Sequence, residues 1–250
     1  MLSVVGPASG ITGPAEEFQK PLGYDAVRAG GNFVKVGVGV LRKTDTGYAF
    51  SKPFDLVDPG KWTVRKGSDF ITFTQALDDP ASGYGYVYTK TILLTPGKAE
   101  MVMEHSLRNT GKLPIATNVY DHNFLVLDKL GPGPDYTITV PFVIKPTRPA
   151  AADVVRIEGN RATYVKAVEN QDRVAFGMQG FGPDAKDYDI RIENRKAGVG
   201  MRIVGDRPLS NESVWSIRSV LAVEPFIDIA ADPGKEFDWK YTYSYYTLPK

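Results

Sequence analysis

The chain has 250 residues, of which 30 are basic and 29 acidic, with two histidines and no cysteine. This balanced charge argues against a nucleic-acid partner, because nucleic-acid-binding proteins usually carry a basic excess. The lack of cysteine excludes disulfides, thiolate nucleophiles and cysteine-based metal sites, and we expect no metal site of another kind. No apolar run approaches the roughly 20 residues of a membrane span, so we expect no membrane partner.

In chain order, the first strong pattern is the segment VKVGVGVLRK (34–43). It predicts a single glycine-rich β-strand, because apolar residues alternate with glycine. In such a strand Lys35 and Lys43 share the face of the glycines, and Arg42 lies on the opposite face. Only one of these two faces can meet a ligand. The glycines themselves could instead serve close sheet packing or bulges.

Period-two alternation continues through the rest of the chain and predicts strands over 84–94 and 117–127. The segment VVRIEGNRATYVKAV (154–168) predicts a hairpin that turns at 158–160. Two further strands are predicted by DYDIRIEN and GVGMRIVG, and a last, half-buried strand by FDWKYTYSYY (237–246). No segment shows a helical apolar stripe. We therefore predict one all-β domain over residues 1–250, a sandwich or barrel with almost no helix.

The strand over 117–127 carries the most suggestive side chains. Alternation places Asn118, Tyr120, His122 and Phe124 on one face, which is polar at one end and apolar at the other. Such a face suits the floor of a pocket, where an imidazole can exchange a proton near neutral pH. The alternative is a half-buried histidine that serves only to bond a neighbouring strand. For His105, the other histidine, we expect a structural or surface role.

A carboxylate that could act with His122 follows the apolar run 220–223. This run predicts a strand in the core of a sheet, and it leads directly to Glu224 and Pro225. Because proline cannot continue a central ladder, we expect the strand to end or reach an edge there. Glu224 is then either a candidate base at the end of a buried strand or a strand-end glutamate in solvent. Trp62 and Trp215 could stack on a ligand, although core packing is the alternative for both.

Several segments, taken in order, resemble the aldose 1-epimerase (galactose mutarotase) superfamily. They are VKVGVGVLRK, MVMEHSLRNTGKLPI, YDHNFLVLD and VEPFIDIAADPGKEFDWKYTYSY, within residues 30–246. The resemblance implies a β-supersandwich of two large, mostly antiparallel sheets. It also implies sugar ring opening without a cofactor, with Glu224 as the base and His122 as the acid. It favours Arg42 as a substrate-binding residue, whereas the glycine face of the same strand favours the two lysines.

Further candidates for contact with a small sugar or sugar derivative are Asn118, Tyr120 and Trp215. The chain departs from the superfamily in that FDLVDPGKWTV (54–64) lacks the early histidine, and Arg42 is followed by lysine rather than preceded by asparagine and followed by an apolar residue. We also expect the first strands of the sandwich to be abbreviated.

Three hypotheses for the function follow. The first is an enzyme that interconverts sugar anomers, an isomerase of carbohydrate metabolism. The second is a carbohydrate-binding or regulatory protein without turnover, and the third is a lyase or hydrolase on the same fold. The retained His122 and Glu224 favour the first, and the missing second histidine favours the other two. Because no signal peptide is visible, we expect a soluble protein, cytoplasmic by default, with a periplasmic or secreted location left open. The sequence indicates no oligomeric state.

Overall fold

The computed structural model describes residues 2–3, 13–49, 52–148, 152–170 and 172–249, and these form β-structure almost throughout. One 3-10 turn spans Ala185–Asp187. Among the described residues, none forms a helix with the length and hydrophobicity that crossing a bilayer requires. The strands are β1 (Leu2–Ser3), β2 (Gly13–Phe18), β3 (Asn32–Lys35), β4 (Gly39–Arg42), β5 (Leu56–Asp58), β6 (Lys61–Lys66), β7 (Phe70–Asp79), β8 (Tyr84–Leu94), β9 (Glu100–Asn109), β10 (Ile115–Leu127), β11 (Tyr136–Thr139), β12 (Lys145–Pro146), β13 (Val155–Glu158), β14 (Arg161–Tyr164), β15 (Arg173–Gln179), β16 (Asp189–Asn194), β17 (Val199–Gly205), β18 (Asn211–Ile217), β19 (Val220–Ala231) and β20 (Glu236–Thr247).

The strands form two large antiparallel sheets and one small one. The seven-stranded sheet has the order β1-β10-β19-β18-β15-β12, with β2 paired to β10. The ten-stranded sheet has the order β13-β14-β11-β16-β17-β20-β9-β8-β7-β6, and β3, β4 and β5 form the small sheet. This architecture confirms the predicted all-β, mostly antiparallel fold. It also confirms the hairpin that turns at 158–160, because β13 pairs with β14 across that turn.

One apolar core joins the inward faces of the two large sheets. Val119 and Ile227 enter it from the seven-stranded sheet, and Trp239 and Tyr241 enter it from the ten-stranded sheet. Along β20 the buried aromatic residues alternate with exposed or half-buried polar ones, as the sequence predicts. Burial of such large side chains supplies the main driving force for folding.

The predicted single strand over 34–43 is wrong, because the segment folds into a hairpin. β3 and β4 pair antiparallel with Lys35 opposite Gly39. The turn between them depends on glycine, since Gly37 has φ +77° and Gly39 has φ +142°, which L-residues rarely adopt. Backbone N–H of Gly37 donates to Oε1 of the fully buried Gln75 on β7, which ties the turn to the ten-stranded sheet.

A cluster of charged side chains lies buried between β2, β8, β9 and β10. Glu16 of β2 forms ion pairs with Lys90 and with His105, whose Nε2 is 2.7 Å from Glu16 Oε1. Burial alone would raise the pKa of Glu16, but the charges of His105 and Lys90 outweigh it and hold that pKa well below its ordinary range. His105 also stacks on Trp239 at a centroid distance of 4.7 Å. Its role in the described structure is therefore a buried one, and the surface alternative is wrong.

Glu212 on β18 is a second buried carboxyl group, and it lacks the partners that Glu16 has. The side chain is fully buried, and neither carboxylate oxygen has a hydrogen-bond partner among the described residues. Burial raises the pKa of Glu212 to about 8. The group is therefore mostly protonated at neutral pH, because the charged form would lose its hydration without compensation.

The raised pKa of Glu212 predicts a pH dependence of stability. A carboxyl group of this kind supports the folded state fully below its unfolded pKa, and this contribution is lost as the pH rises through the folded pKa. The loss therefore falls between the ordinary value of 4.5 and about 8. We expect Glu212→Gln to remove it, so that the variant gains on the order of a few kcal/mol over the wild type by pH ~8.

Urea unfolding at a series of pH values from about 5 to about 9 measures this difference. Glu104→Gln, which removes an exposed carboxylate from β9, is the control and should follow the wild type closely. Equal pH slopes for Glu212→Gln and the wild type would contradict the prediction.

Candidate functional site

The register between β10 and β19 brings His122 and Glu224 together. The ladder pairs Tyr120 with Phe226 and, further along, Asn123 with Val223. The same register, continued between these two pairs, puts His122 directly opposite Glu224. Their side chains leave the same face of the sheet, and His122 Nε2 lies 2.9 Å from Glu224 Oε1. We call these two residues the site pair.

The expectation that β19 ends or reaches an edge at Pro225 is wrong. β19 runs through this residue to Ala231 and lies between β10 and β18. Proline is tolerated here because no paired residues are assigned between β10 and β19 at Glu224 and Pro225, while β18 still pairs with both. The missing N–H therefore coincides with a gap in one ladder. The site pair lies at this gap, in the interior of the sheet.

Three neighbours define the surroundings of the site pair. Ser213 Oγ on β18 donates a hydrogen bond of 2.8 Å to Glu224 Oε2, so that each carboxylate oxygen has a polar neighbour. The imidazole of His122 stacks on Phe124 at a centroid distance of 3.7 Å and meets the edge of Trp215 at 5.5 Å. The side chains of His122 and Glu224 remain 18% and 15% exposed, enough for a ligand to reach both.

The run of four polar-tipped residues in β10 is explained by the two faces of the strand. Tyr120 and His122 point to the outer face, whereas Asp121 and Asn123 are buried between the sheets. The hydroxyl oxygen of Tyr243 lies 2.8 Å from Asp121 Oδ2 and 2.9 Å from Asn123 Oδ1. Burial and the charge of Glu16 raise the pKa of Asp121 well above its ordinary range. A protonated Asp121 can donate to Tyr243, which then donates to Asn123.

The site pair lies in a cleft of about 520 Å³ on the outer face of the seven-stranded sheet, here named the pair cleft. Beside His122 and Glu224, its lining comprises Gln19, Asn118, Tyr120, Thr147, Arg148, Ala175, Phe176, Gly177, Asn211, Ser213, Val214, Trp215 and Phe226. Thr147 crosses close above β15 at Gly177, where an added Cβ would lie 2.1 Å from Thr147 Oγ1. Glycine at this position lets the segment with Thr147 and Arg148 approach the sheet.

A second cavity of about 610 Å³ adjoins the pair cleft and is named the side cavity. The two share the side chains of Tyr120 and His122. The remaining lining residues come from β2, the β3–β4 turn, β6, β7, β8 and β10: Ala15, Glu16, Glu17, Phe18, Lys35, Val36, Gly37, Val38, Trp62, Phe73, Tyr88, Lys90, Ile92 and Phe124.

The structure separates the predicted binding residues into three groups. Asn118, Tyr120 and Trp215 line the pair cleft. Lys35 lines the side cavity, where its Nζ lies 2.5 Å from Glu17 Oε1. Because 215 and 62 line the cleft and the side cavity respectively, the expectation that these two tryptophans pack in the core is wrong.

Arg42 and Lys43 do not lie with the site pair. Arg42 is exposed, donates to the carbonyl oxygen of Gly30 and borders a separate cavity. Lys43 donates to the carbonyl oxygen of Tyr24 and lies 4.2 Å from the centre of its ring. The physical reason is the β3–β4 hairpin, which reverses the chain at Gly37 and carries both residues away from Lys35.

Sequence reasoning missed Ser213, Arg148 and Glu17. The alternation of β18 places Ser213 on the same face as Trp215, so this signal could have identified it. Arg148 follows a two-residue strand and carries no periodic signal. Glu17 stands beside Glu16, and only the pairing of β2 with β10 decides which of the two faces the cavity with Tyr120. Among the described residues, no group of three or more acidic or histidine side chains is arranged to hold a metal ion.

Comparison with known proteins identifies the fold. No family model and no curated protein matches the sequence. Solved structures do match. One is an Escherichia coli K12 protein provisionally assigned as an aldose 1-epimerase, with TM-score 0.63, 14% identity, and coverage of 99% of this chain and 89% of that one. A GalM/aldose epimerase homologue from C. elegans matches with TM-score 0.62, 11% identity, and coverage of 99% and 88%.

A galactose mutarotase-like protein from Clostridium acetobutylicum gives TM-score 0.58 and 10% identity over 95% of this chain and 80% of that one. The fold of the chain is therefore galactose mutarotase-like, as the sequence resemblance predicts. At such low identity the similarity concerns the fold alone.

The positions of the cations predict which of them serves a ligand. We expect Lys35→Met to weaken sugar binding about tenfold or more, since hydrogen bonds to charged groups contribute roughly 1.5–3 kcal/mol. Arg42→Met removes a cation from the adjacent strand and is the matched control, because Arg42 borders a different cavity. Titration calorimetry with a panel of mono- and disaccharides measures both variants. A loss of affinity in Arg42→Met alone would contradict the prediction.

Proposed function

We propose that the protein catalyses the interconversion of the α and β anomers of a reducing sugar, in the manner of an aldose 1-epimerase. The observation that carries the proposal is the site pair. An imidazole and a carboxylate lie 2.9 Å apart, partly exposed, in a cleft on a galactose mutarotase-like sandwich. Each can move a proton to or from a different oxygen of one sugar.

In the ring-opening step, Glu224 removes the proton of the anomeric hydroxyl. Electrons of that O–H bond form the C1 carbonyl, the bond between C1 and the ring oxygen breaks, and the imidazolium of His122 protonates the departing ring oxygen. The product is the open-chain aldehyde with a hydroxyl at its far end. At this stage the proton has passed to Glu224, and His122 is neutral.

Ring closure reverses these transfers after rotation about the bond between C1 and C2. The neutral imidazole removes the proton of the chain hydroxyl, whose oxygen attacks the opposite face of the carbonyl carbon. Glu224 returns its proton to the carbonyl oxygen, which becomes the new anomeric hydroxyl. Both residues end in their starting states, so the cycle balances without a further reactant.

The neighbours of the site pair suit this role. Ser213 holds one oxygen of Glu224 and leaves Oε1 facing His122, so the carboxylate has a defined orientation. Phe124 fixes the plane of the imidazole by stacking. In the unliganded protein the two groups neutralise each other, and a sugar would part them by placing its anomeric hydroxyl and ring oxygen between them.

A glycoside hydrolase mechanism fits the pair cleft less well. Such enzymes commonly use two carboxyl groups that flank the glycosidic bond. Among the described residues that line the pair cleft, Glu224 is the only carboxylate. Binding without turnover is the remaining alternative, and the kinetic experiment below distinguishes it from catalysis.

If the site pair is acid and base, Glu224→Gln and His122→Asn should each slow anomer interconversion by about 10²–10⁴-fold, the usual contribution of one general acid or base. Sugar affinity should change far less, because the other residues of the cleft remain. The measurement is polarimetry of freshly dissolved α-anomers of several aldoses, read as a rate above spontaneous mutarotation.

Glu212→Gln is the matched control. It removes a carboxyl group one residue from Ser213, but on the buried face of β18, and should leave the rate unchanged. Saturable sugar binding by a folded protein that accelerates no aldose would instead support the binding-protein alternative. Acceleration that persists in both site-pair variants would place the catalytic groups elsewhere.

A further inference from the structure

We propose that the side cavity is a second sugar subsite, so that the preferred substrate is a reducing disaccharide or longer oligosaccharide rather than a free monosaccharide. The inference rests on the proposed function in one respect, because it places the reducing-end ring at the site pair. The side cavity would then bind the next ring of the same molecule.

The apolar wall of the side cavity comes from a part of the ten-stranded sheet that extends past its cover. Trp62 on the edge strand β6 pairs with Gln75, which pairs in turn with Tyr88, so all three share one face of the sheet. This is the face that enters the core farther along, at His105 and Trp239. At the β6 edge the same face is open, and Trp62 is 43% exposed.

An exposed tryptophan beside a cavity is a suitable platform for a sugar ring. A pyranose presents C–H groups on its faces and hydroxyl groups around its rim, so it binds best between an aromatic surface and polar side chains. Trp62, Phe73, and Ile92 provide the apolar surface in the side cavity. The first of these is the most accessible, because it lies on the outermost strand of the sheet.

The polar side of the cavity is a short chain of bonded groups. Lys35 Nζ lies 2.5 Å from one oxygen of Glu17, and the hydroxyl of Tyr120 donates to the other at 3.1 Å. The side chains of Lys35 and Glu17 are 10% and 26% exposed, so the pair is ordered yet accessible from the cavity. Such a pair offers both donors and acceptors, which sugar hydroxyls require.

Continuity of the two cavities sets the direction of the ligand. Tyr120 and His122 belong to the walls of both, so a molecule can pass from one to the other beside the imidazole. The anomeric hydroxyl must remain free at Glu224 for ring opening. The second ring is therefore attached through another oxygen of the reducing-end ring and extends past His122 towards Trp62.

The experiment compares affinities of the full chain for glucose and galactose with those for maltose, cellobiose, lactose and melibiose, by titration calorimetry. At least one disaccharide should bind more tightly than its own reducing-end monosaccharide. In Trp62→Ala that advantage should fall about three- to tenfold, the range expected for one aromatic contact, and Trp62→Phe should restore part of it. Val64→Ala, which truncates a more exposed residue of the same strand, is the control and should retain the advantage.

Polarimetry on the same sugars separates this inference from the proposed function. A disaccharide that binds through Trp62 without faster mutarotation would support the subsite and refute the epimerase activity. Turnover of monosaccharides with no disaccharide preferred would refute the subsite and support the activity. A disaccharide advantage that is unchanged in Trp62→Ala would also overturn the inference, because the second ring would then lie elsewhere.

Discussion

The antiparallel register between β10 and β19 is the constraint on which the rest of the site depends. It sets His122 opposite Glu224 and orients both towards the pair cleft. A shift of one residue would turn the imidazole into the core and expose Asp121, because successive side chains of a strand point to opposite faces. The register is therefore held from both sides of the sheet. Burial of Val119 and Ile227 fixes it in the core, and Ser213 fixes it in the cleft by its bond to Glu224.

Buried polar groups reinforce this arrangement behind the site pair. Glu16, Lys90 and His105 connect β2 to the ten-stranded sheet, and Tyr243 contacts the buried side chains of β10 from the same sheet. These groups are costly to bury, and the cost is met only when each finds its partner. Any other pairing of the strands would leave charges unpaired between the sheets. The network thus favours one arrangement of β2 against β10, and that arrangement forms the boundary between the two cavities.

The cavities arise from unequal coverage of the two large sheets. The ten-stranded sheet extends beyond the seven-stranded one at β6, and the β3–β4 turn approaches this uncovered part through Gly37 and Gln75. An apolar sheet face that is only partly covered forms a concave wall beside the site pair. The proposed second subsite uses this wall, and the proposed chemistry uses the adjoining pair cleft. Recognition and proton transfer would thus depend on different strands of the same sandwich, with Tyr120 and His122 as the shared boundary.

The sequence by itself determined the β-class of the fold, the strand containing His122 and the face that this residue shares with Tyr120, because alternation along a strand is a local property. The family resemblance supplied Glu224 as the partner of His122. Only the tertiary structure decided that the two meet, that Lys35 rather than Arg42 lies near them, and that β19 continues through Pro225. These outcomes depend on which strands pair and in which register. Pairing joins residues distant in sequence, and the glycine turn at Gly37 changes direction in a way that period-two alternation does not record.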